Sequence, residues 1–381
     1  MSWEVCTLGD VVTLKRGHDL PKAKRVHGPV PVVSSSGITG HHNEAKAEPP
    51  GVVTGRYGTI GEVFFVTEPY WPLNTALYAI DFHGNDPRFV AYFLRDKLRN
   101  YQSDKAAVPG VDRNVLHKLP ARCPDLQQQQ KIVALLSAYD DLIANNNRRI
   151  ELLEQSVRLL FREWFVYLRF PGHEHADIVG GVPKDWKSQP VQTVCERYSD
   201  GDWLETKDQG GDDYRILQIS NIGQNEFIET GNQRFITEDT FKRLRCTEVV
   251  PGDIIVSRMP APIGRGWMVT DQPFRMVTAV DVTIVRPGAC VDAMYLLYHI
   301  NSQQNLSRCE GHATGATRPR ISRKNMGKLP IMIPPWELQN AFSEFAEPIH
   351  KKRARLFEQN RRLIEARDHL LPRLMDGRLE V

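Results

Sequence analysis

Residues 126–165 read LQQQQKIVALLSAYDDLIANNNRRIELLEQSVRLLFREWF, and this stretch decides how the chain is organised. Its apolar residues alternate in steps of three and four, which is the pattern of a helix that packs along a second helix. The stretch contains neither Pro nor Gly, so we predict one helix of roughly 60 Å, at about 1.5 Å per residue. The predicted seam consists of Ile132, Leu136, Tyr139, Ile143, Ile150, Leu153, Val157, Leu160 and Trp164, with Asn146 inside the same stripe.

A second stretch of the same kind closes the chain, from Leu338 to about Leu374. Its stripe is formed by Phe342, Ile349, Leu356, Leu363 and Leu370, with Phe357, Ile364 and Leu371 alongside. We interpret the two helices as partners of each other. A polar residue on such a seam weakens packing but fixes the register of the two helices. For Asn146, this interpretation competes with a position on an exposed helix face.

The composition indicates a chain with ordinary hydrophobic cores and a mild positive charge. Of the 381 residues, 41% are hydrophobic and 25% are charged, with a formal net charge of +3; this length favours two to three domains. The six cysteines are widely spaced without a C-x-x-C pair, which favours free thiols in a reducing compartment. The N-terminus has no signal-peptide pattern and the sequence has no long apolar run, so we expect a cytoplasmic protein.

Two globular blocks precede the two helices, and the second block repeats the order of the first. The segment from Gly51 to Gly61 corresponds to the segment from Gly252 to Gly264, and Lys118-Leu119-Pro120 recurs as Lys328-Leu329-Pro330. Landmarks that recur in the same order indicate one unit used twice.

Short strand-like runs between Gly/Pro turns, with one amphipathic helix in each block, favour an α/β fold class for both blocks. We therefore predict a first globular domain at residues 1–121 and the first long helix at 122–168. The second domain is predicted at 169–333, with a linker at 169–182, and the second long helix at 334–381.

Motifs for catalysis are mostly missing from the sequence, which lacks G-x-x-x-x-G-K-[ST], a strand-borne G-x-G-x-x-G and G-x-S-x-G. His41-His42-Asn43 has no downstream His at a spacing suited to a metal-dependent nuclease. Ile333-Pro334-Pro335-Trp336 is similar to the Pro-Pro-aromatic loop of DNA amino-methyltransferases, but Ile333 offers no oxygen to a target amine. We interpret the prolines as the stop before the last helix, and we expect a chain that is not an enzyme and binds no metal.

Basic and small polar residues cluster in loops of both blocks. Arginine forks suit guanine edges and phosphates, while Ser, Thr and main-chain amides position phosphates. The residues predicted to contact DNA are Arg16, His18, Lys22, Lys24, Arg25, Ser34, Ser35, Arg56, Tyr57 and Arg113 in the first block, and Ser220, Asn221, Arg258, Arg265, Arg318, Arg320, Arg323 and Lys324 in the second. Plainer interpretations stay open: a charge run is often a solvated surface, Ser220-Asn221 suits a turn, and Arg318, Arg320 and Arg323 could pair with acidic residues of a partner protein.

Over its whole length the chain resembles the specificity (S) subunit of type I restriction–modification systems. The resemblance rests on the repeat, the W-x-x-x-x-L-G-D opening from Trp3, the R-Y-G-T-I-G segment from Arg56, the L-P ending of each block, the glutamine-rich helix start at residues 126–131 and the L-M-D-G-R-L segment from Leu374. The second block departs from the Arg56 segment, because Met259-Pro260-Ala261-Pro262 separates Arg258 from Ile263-Gly264.

The resemblance implies two target recognition domains, each reading one half of a bipartite DNA site, and two long helices that form an antiparallel coiled-coil spacer. It also implies partners: two modification subunits carrying an adenine methyltransferase would dock on the helices, and restriction subunits would complete an ATP-dependent endonuclease. S-adenosylmethionine, ATP and Mg²⁺ are then expected on the partner subunits, and no cofactor on this chain. Because the loops of the two blocks differ, the two half-sites should differ.

The main alternative is a repeat scaffold that binds other proteins instead of DNA. Phosphate contacts release counterions, so DNA binding that weakens with salt separates the two functions. A stand-alone DNA methyltransferase or nuclease is a third possibility that the missing motifs disfavour, and S-adenosylmethionine bound to the purified chain would revive it.

Overall fold

A computed structural model describes residues 3–57, 61–99 and 110–381. The chain divides into unit 1, Met1–Asn146 with Gln359–Val381, and unit 2, Asn147–Glu358. Both boundaries between the units fall inside a long helix, so each unit contains one globular block and a part of both long helices.

Unit 1 contains the first globular block. In chain order its elements are β1 (Glu4–Thr7), α1 (Leu8–Val11), β2 (Thr13–Arg16), β3 (Val30–Ser34), β4 (Gly37–His42), β5 (Gly51–Gly55), β6 (Val63–Val66), β7 (Trp71–Pro72), β8 (Ala76–Asp81), α2 (Pro87–Leu98), α3 (Arg113–His117), β9 (Pro120–Cys123) and the first part of α4 (Leu126–Phe161). The strands form an antiparallel sheet of order β2-β8-β5-β6, a sheet of order β4-β3-β7 and the pair β1-β9. Within the second sheet, β3 runs parallel to β7.

Unit 2 contains the second globular block. Its elements are the end of α4, β10 (Ile178–Val179), β11 (Val182–Pro183), β12 (Lys187–Pro190), β13 (Cys195–Asp200), β14 (Tyr214–Leu217), β15 (Phe235–Ile236), α5 (Glu238–Leu244), β16 (Ile254–Ser257), β17 (Gly266–Met268), β18 (Arg275–Thr278), β19 (Val282–Pro287), α6 (Ala293–Ile300), α7 (Gln303–Gly311), α8 (Arg323–Gly327), β20 (Pro330–Ile333) and the first part of α9 (Trp336–Met375). The sheet orders are β13-β19-β16-β17 and β15-β14-β18, with the pairs β12-β20 and β10-β11.

The two globular blocks therefore share one topology. Strands β2 to β8 of unit 1 and β13 to β19 of unit 2 occur in the same sequence and take the same places in a four-stranded and a three-stranded sheet. Even the parallel strand pair recurs, since β14 runs parallel to β18 as β3 does to β7. The predicted α/β class and the predicted repeat are confirmed.

The long helices contribute to the core of each unit. In unit 1, Ile132 and Leu136 of α4 belong to the same buried cluster as Leu371 and Leu374 of α9. In unit 2, Val157 and Phe161 share a buried cluster with Phe342 and Ala346. In both units an early part of one helix meets a late part of the other, which makes the contact antiparallel. These buried apolar faces stabilise each helix more than its intrinsic propensity does.

The structure differs from the sequence-based expectations at three places. Helix α4 ends at Phe161 and continues as a π-helical turn, Arg162–Val166. Part of the expected linker folds as the hairpin β10-β11, whose two turn residues, Gly180 and Gly181, have φ values of +61° and +82°; positive φ at both positions is the geometry of a tight hairpin turn. The apolar run from Leu73 to Phe82 predicts one strand, but the strand β8 extends only from Ala76 to Asp81.

Candidate nucleic-acid interface

The loop after β2 carries most of the basic residues predicted in the first block. Arg16 is exposed and its Nη2 lies 3.8 Å from Oδ1 of Asp19. Lys22 and Lys24 lie exposed on a short 3-10 turn. Arg25 is different, because its Nη1 donates to the Thr39 carbonyl at 2.7 Å and so fastens the loop to β4. Three cations of this loop thus keep side-chain donors free for an anionic partner.

His18, in the same loop, lies partly buried between aromatic rings. Its Nε2 is 3.3 Å from the Tyr78 hydroxyl, and its ring meets Trp71 edge-on with centroids 6.2 Å apart. Burial, followed by the charges of Lys15 and Lys46, lowers the pKa of His18. This shift favours the neutral form of the imidazole in the free chain.

Ser34 and Ser35 lie in the turn between β3 and β4. The buried Ser34 hydroxyl donates to the Gly37 carbonyl at 3.1 Å and accepts from the Ser36 amide at 3.2 Å. Ser34 therefore shapes the turn, while Ser35 is only partly buried.

The Arg56 segment ends the central strand of the first block. The Arg56 guanidinium lies 4.5 Å from the centre of the Tyr57 ring, which is 40% exposed. Gly58, Thr59 and Ile60 of the same segment lie outside the described residues. Arg113 is exposed in the first turn of α3.

Arg56 and Arg258 occupy the same place in the two backbones. The Arg56 carbonyl accepts from the Val111 amide at 2.8 Å, and the Arg258 carbonyl accepts from the Ile321 amide at 3.1 Å. Val111 and Ile321 each precede the N-cap residue of a short helix, α3 or α8. The Pro-rich insertion after Arg258 therefore does not shift this position.

The side chain of Arg258 is buried, unlike that of Arg56. Its Nη2 lies 3.3 Å from a carboxylate oxygen of Asp200 and 3.6 Å from one of Asp281, and it donates to the Val280 carbonyl at 2.5 Å. The same two aspartates hold two further predicted residues: Arg323 Nε lies 3.0 Å from Asp200, and Arg320 Nη1 lies 2.7 Å from Asp281. The structure thus brings three of the predicted arginines together around two carboxylates.

Arg318 and Lys324 flank this cluster and are exposed. Within the described ranges neither side chain has a hydrogen bond or ion pair, so both are free to meet an anion. Ser220 is exposed as well, one residue before the buried Asn221.

Two residues predicted to contact DNA, Arg265 and Asn221, have buried side chains in the structure. Arg265 is 7% exposed, and its donors all end on main-chain carbonyls, at 2.5 Å to Ile222 and at 2.9 Å to Ile219, Met259 and Pro262. These four hydrogen bonds occupy four of the five guanidinium N–H donors and hold two loops together.

Asn221 is 1% exposed and supports a turn, the interpretation that the sequence left open. Its Oδ1 accepts from the Gln218 amide at 2.9 Å, and its Nδ2 donates to the Ile228 carbonyl at 2.9 Å. Both groups therefore have partners within the protein.

The seam residues predicted from the sequence are buried or partly buried in the structure. Among those in unit 1, Ile132, Leu136 and Asn146 are buried, whereas Tyr139, Ile143, Leu363 and Leu370 are partly buried; among those in unit 2, Ile150, Val157, Phe342 and Leu356 are buried, whereas Leu153, Leu160 and Ile349 are partly buried. Asn146 Nδ2 donates to Asn360 Oδ1 at 3.0 Å. The structure thus places Asn146 inside the contact between the helices of unit 1.

A buried polar cluster centred on Glu154 attaches the second block to the helices of unit 2. The Glu154 carboxylate accepts from Asn225 at 2.7 Å and from the Tyr298 hydroxyl at 3.1 Å, and it forms ion pairs of 2.6 Å with Arg158 and Arg353. Unit 1 has a related arrangement, in which Asp140 lies 2.6 Å from both the Tyr92 hydroxyl and the Arg367 guanidinium. In both units a tyrosine of a domain helix contacts a carboxylate of α4.

A polar groove in unit 2 was not singled out by the sequence. It has a volume of about 480 Å³ and is lined by Thr206, Gln209, Gly210, Gly211, Asn232, Gln233, Arg234 and Phe235. Its lining comes from two loops that are separated in sequence, and neither loop contains a charge run, so composition gave little signal.

In the described part of the chain, no group of three or more His, Cys, Asp or Glu side chains is arranged to hold a metal. His42, considered above for a nuclease, instead meets the Trp71 ring edge-on at 5.1 Å. Nor does that part contain a helix that is both long and apolar enough to cross a membrane.

Comparison with known proteins gives one consistent result. The family described as "Type I restriction modification DNA specificity domain" matches residues 1–155 and 183–366. The type I restriction enzyme MjaVIII specificity subunit of Methanocaldococcus jannaschii is 22% identical over 303 residues, covering 77% of this chain and 70% of the relative. The HindI specificity subunit of Haemophilus influenzae is 22% identical over 349 residues, covering 73% of each chain.

Among solved structures, the S subunit of a type I restriction–modification system from M. genitalium has the same fold. Its crystal structure superposes with a TM-score of 0.61 at 14% identity, covering 98% of this chain and 96% of that one.

Proposed function

This chain belongs to the type I restriction modification DNA specificity domain family, and from that premise we propose that it is the non-catalytic subunit that selects the DNA site of a type I restriction–modification complex. Each globular block reads one half of a bipartite, asymmetric double-stranded DNA site. S-adenosylmethionine, ATP and Mg²⁺ bind to the partner subunits and not to this chain.

The observation that carries this proposal is one topology used twice with different loops. The loop after β2 reads Arg16-Gly17-His18-Asp19, whereas the loop at the same place after β13 reads Asp200-Gly201-Asp202-Trp203. A shared scaffold with dissimilar exposed side chains suits two readers of two different sequences.

Exposed groups with free donors are the proposed DNA contacts: Arg16, Lys22, Lys24, Tyr57 and Arg113 in unit 1, and Ser220, Arg318 and Lys324 in unit 2. Arg258, Arg320 and Arg323 hold the surrounding loops through Asp200 and Asp281. Because phosphate contacts carry most of the affinity and base contacts the sequence preference, the exposed lysines are assigned to phosphates.

The long helices are proposed to set the distance between the half-sites and to bind two modification subunits, with restriction subunits completing the complex. Large apolar side chains exposed on them support a covering partner: Leu142 is 37% exposed in unit 1, and Leu152, Leu159 and Phe345 are 46%, 49% and 44% exposed in unit 2. Inserting four residues into α4, roughly 6 Å of rise, should lengthen the gap between unchanged half-sites.

The salt dependence of DNA binding tests the proposal against the scaffold alternative. We expect the affinity of the assembled complex for its methylation site to fall steeply with salt. The logarithm of the binding constant should fall linearly with the logarithm of the salt concentration, with a slope of about −0.9 per phosphate neutralised. A chain that assembles with its partner proteins but adds no salt-dependent DNA binding would instead be a scaffold.

A further inference from the structure

We propose that the polar groove between the two loops at Gln209–Gly211 and Asn232–Phe235 reads base edges of the half-site assigned to the second block. The inference rests on the proposed function. The side chains that it assigns to base recognition lie outside the arginine-rich segment at 311–324. The ligand is the major groove of double-stranded DNA.

Both walls of the groove are fastened to the same strand pair. The Gly210 amide donates to the Phe235 carbonyl of β15 at 2.9 Å, and the Ile216 amide of β14 donates to the Arg234 carbonyl at 2.8 Å. Strands β14 and β15 pair through Tyr214 and Ile236. The groove side chains therefore lie in two loops that are hydrogen-bonded to a sheet edge, and this support favours the fixed placement that recognition of base edges requires.

The side chains of the groove match the donors and acceptors of bases. An Asn or Gln amide can bind the N6 and N7 of adenine in a bidentate manner, and an Arg fork can bind the O6 and N7 of guanine. Gln209, Asn232 and Arg234 have no side-chain hydrogen bond or ion pair within the described ranges. Gln233 has one long bond, 3.4 Å from its Nε2 to Glu229.

Arg234 differs from three other arginines of unit 2, Arg215, Arg243 and Arg275. Arg215 forms a bidentate pair with Glu229 at 2.8 and 2.5 Å, Arg243 lies 2.8 Å from Asp208, and Arg275 is bidentate to Glu248 at 2.9 Å. These arginines already have their carboxylates, whereas Arg234 is exposed on the groove wall.

The main chain at Gly210 is open to close approach. A Cβ atom built at Gly210 would meet no atom within 4 Å among the described residues other than its two chain neighbours, so the main chain there is uncrowded. The same loop carries Trp203, which is 70% exposed. Exposing an indole ring to water is unfavourable in the free protein, and in a complex the ring can contact bases or sugars.

The groove is continuous along the chain with the arginine cluster. Asp200, which pairs with Arg323 at 3.0 Å, lies three residues before Trp203, and the Asp202 amide donates to the Thr278 carbonyl at 2.8 Å. The loop that begins at Asp200, the partner of Arg323, therefore leads to the groove. The cluster arginines are held by aspartates, so the free groove side chains are better placed to discriminate between bases.

The test is methylation mapping in cells that express the full complex with Asn232→Ala, Arg234→Ala or Arg234→Lys. Arg234→Lys keeps the charge but loses the planar fork. We expect each variant to lower discrimination at one position of one half-site by about tenfold or more, with the other half-site unchanged. Arg197→Ala is the matched control, because Arg197 is exposed in the same unit and does not line the groove.

An unchanged methylation motif in all three variants would overturn the groove assignment, as would full discrimination by Arg234→Lys. Assembly of each variant complex and its thermal unfolding, measured in parallel, show that the side chain and not the fold has changed. Exchange of the whole second block separates this failure from that of the proposed function. If the exchange alters one half-site while the groove variants do not, the second block reads DNA through other residues.

Discussion

The side-chain oxygen of Gln129 accepts a hydrogen bond of 2.9 Å from the main-chain amide of Asp86. The bond joins the first turn of the long helix α4 to the N-cap of the domain helix α2. In unit 2, Gln339 of α9 accepts from the amide of Asp292, the N-cap of α6, at 2.8 Å. Both glutamines are 1% exposed, so each repeat fixes its domain helix to its own long helix through one buried amide.

Removing this amide should destabilise unit 1. Gln129 Nε2 also donates to the Pro124 carbonyl at 2.9 Å, so Gln129→Ala leaves buried main-chain groups without their partner. We expect a loss of about 1–3 kcal/mol in the free energy of unfolding, measured by chemical denaturation. Gln130→Ala, at an exposed position of the same turn, is the control and should cost little. Equal losses in both variants would mean that the amide bond is not the cause.

The Asn146–Asn360 bond should act on register rather than on stability. Replacing both residues by leucine removes a polar pair from a helix contact, which should maintain or raise the stability of unit 1 while permitting alternative helix pairings. Analytical ultracentrifugation of the double variant should reveal self-association that the parent chain lacks. A double variant that stays as uniform as the parent would show that the asparagines do not specify the pairing.

The sequence predicted the elements whose signals are local. The step pattern from Ile132 to Trp164 fixes a helix face, and turn residues mark the strands, so the helices and the repeat could be recognised. The sequence did not predict whether a given arginine is buried and paired or exposed. Whether Arg258 is buried and paired depends on Asp200 and Asp281, which are distant in sequence and meet only when β13 and β19 pair.

The same dependence on contacts that are distant in sequence applies to Arg265 and Arg234. Arg265 looked like a loop cation, but carbonyl groups of two distant loops surround it. Hydrogen bonding to main-chain carbonyls leaves no pattern in the sequence. Arg234, in contrast, has no basic neighbour in the sequence that would mark it, and its exposure on the groove is visible only in the structure.

Two buried histidines should make unit 2 sensitive to acid. Burial, with a smaller effect of Arg308, lowers the pKa of His299 to about 3, and burial with the nearby Arg353 lowers that of His350 to about 4. The unfolded chain binds a proton near pH 6.5, so the stability from these neutral rings is full above that pH and is lost as the pH falls toward the folded pKa values.

At pH 5 we expect each histidine to lower the free energy of unfolding of unit 2 by about 2 kcal/mol relative to pH 7.5. Hydrogen exchange of the α6 amides at the two pH values measures the change. His350→Gln should reduce it by removing one titrating ring, whereas His312→Gln, at an exposed position, should not. An α6 whose protection stays constant between the two pH values would contradict the assignment.

Arg318 and Lys324 should have different effects on DNA binding. Lys324→Ala should weaken binding to all sequences similarly and lower the salt slope by about one unit, because a lysine acts as a point charge on phosphate. Arg318→Ala should cost about 1–3 kcal/mol on the specific site and relax one base position. The held arginines serve as the comparison: Arg320→Ala should act less on base preference than Arg318→Ala.

The affinity of these variants for modification subunits, measured without DNA, decides the other interpretation of the segment. Lost assembly with intact DNA binding in Arg318→Ala, Arg320→Ala and Arg323→Ala would assign these arginines to a protein contact.

The most direct measurement is the methylation motif after exchange of one block. Residues 183–330 are replaced by the corresponding block of a related specificity subunit, the complex is expressed in cells, and methylated adenines are mapped across the genome. Two independent readers predict that one half-site changes to that of the donor while the other half-site stays as it was. A motif changed in both halves, or in neither, would contradict the assignment of one half-site to each block.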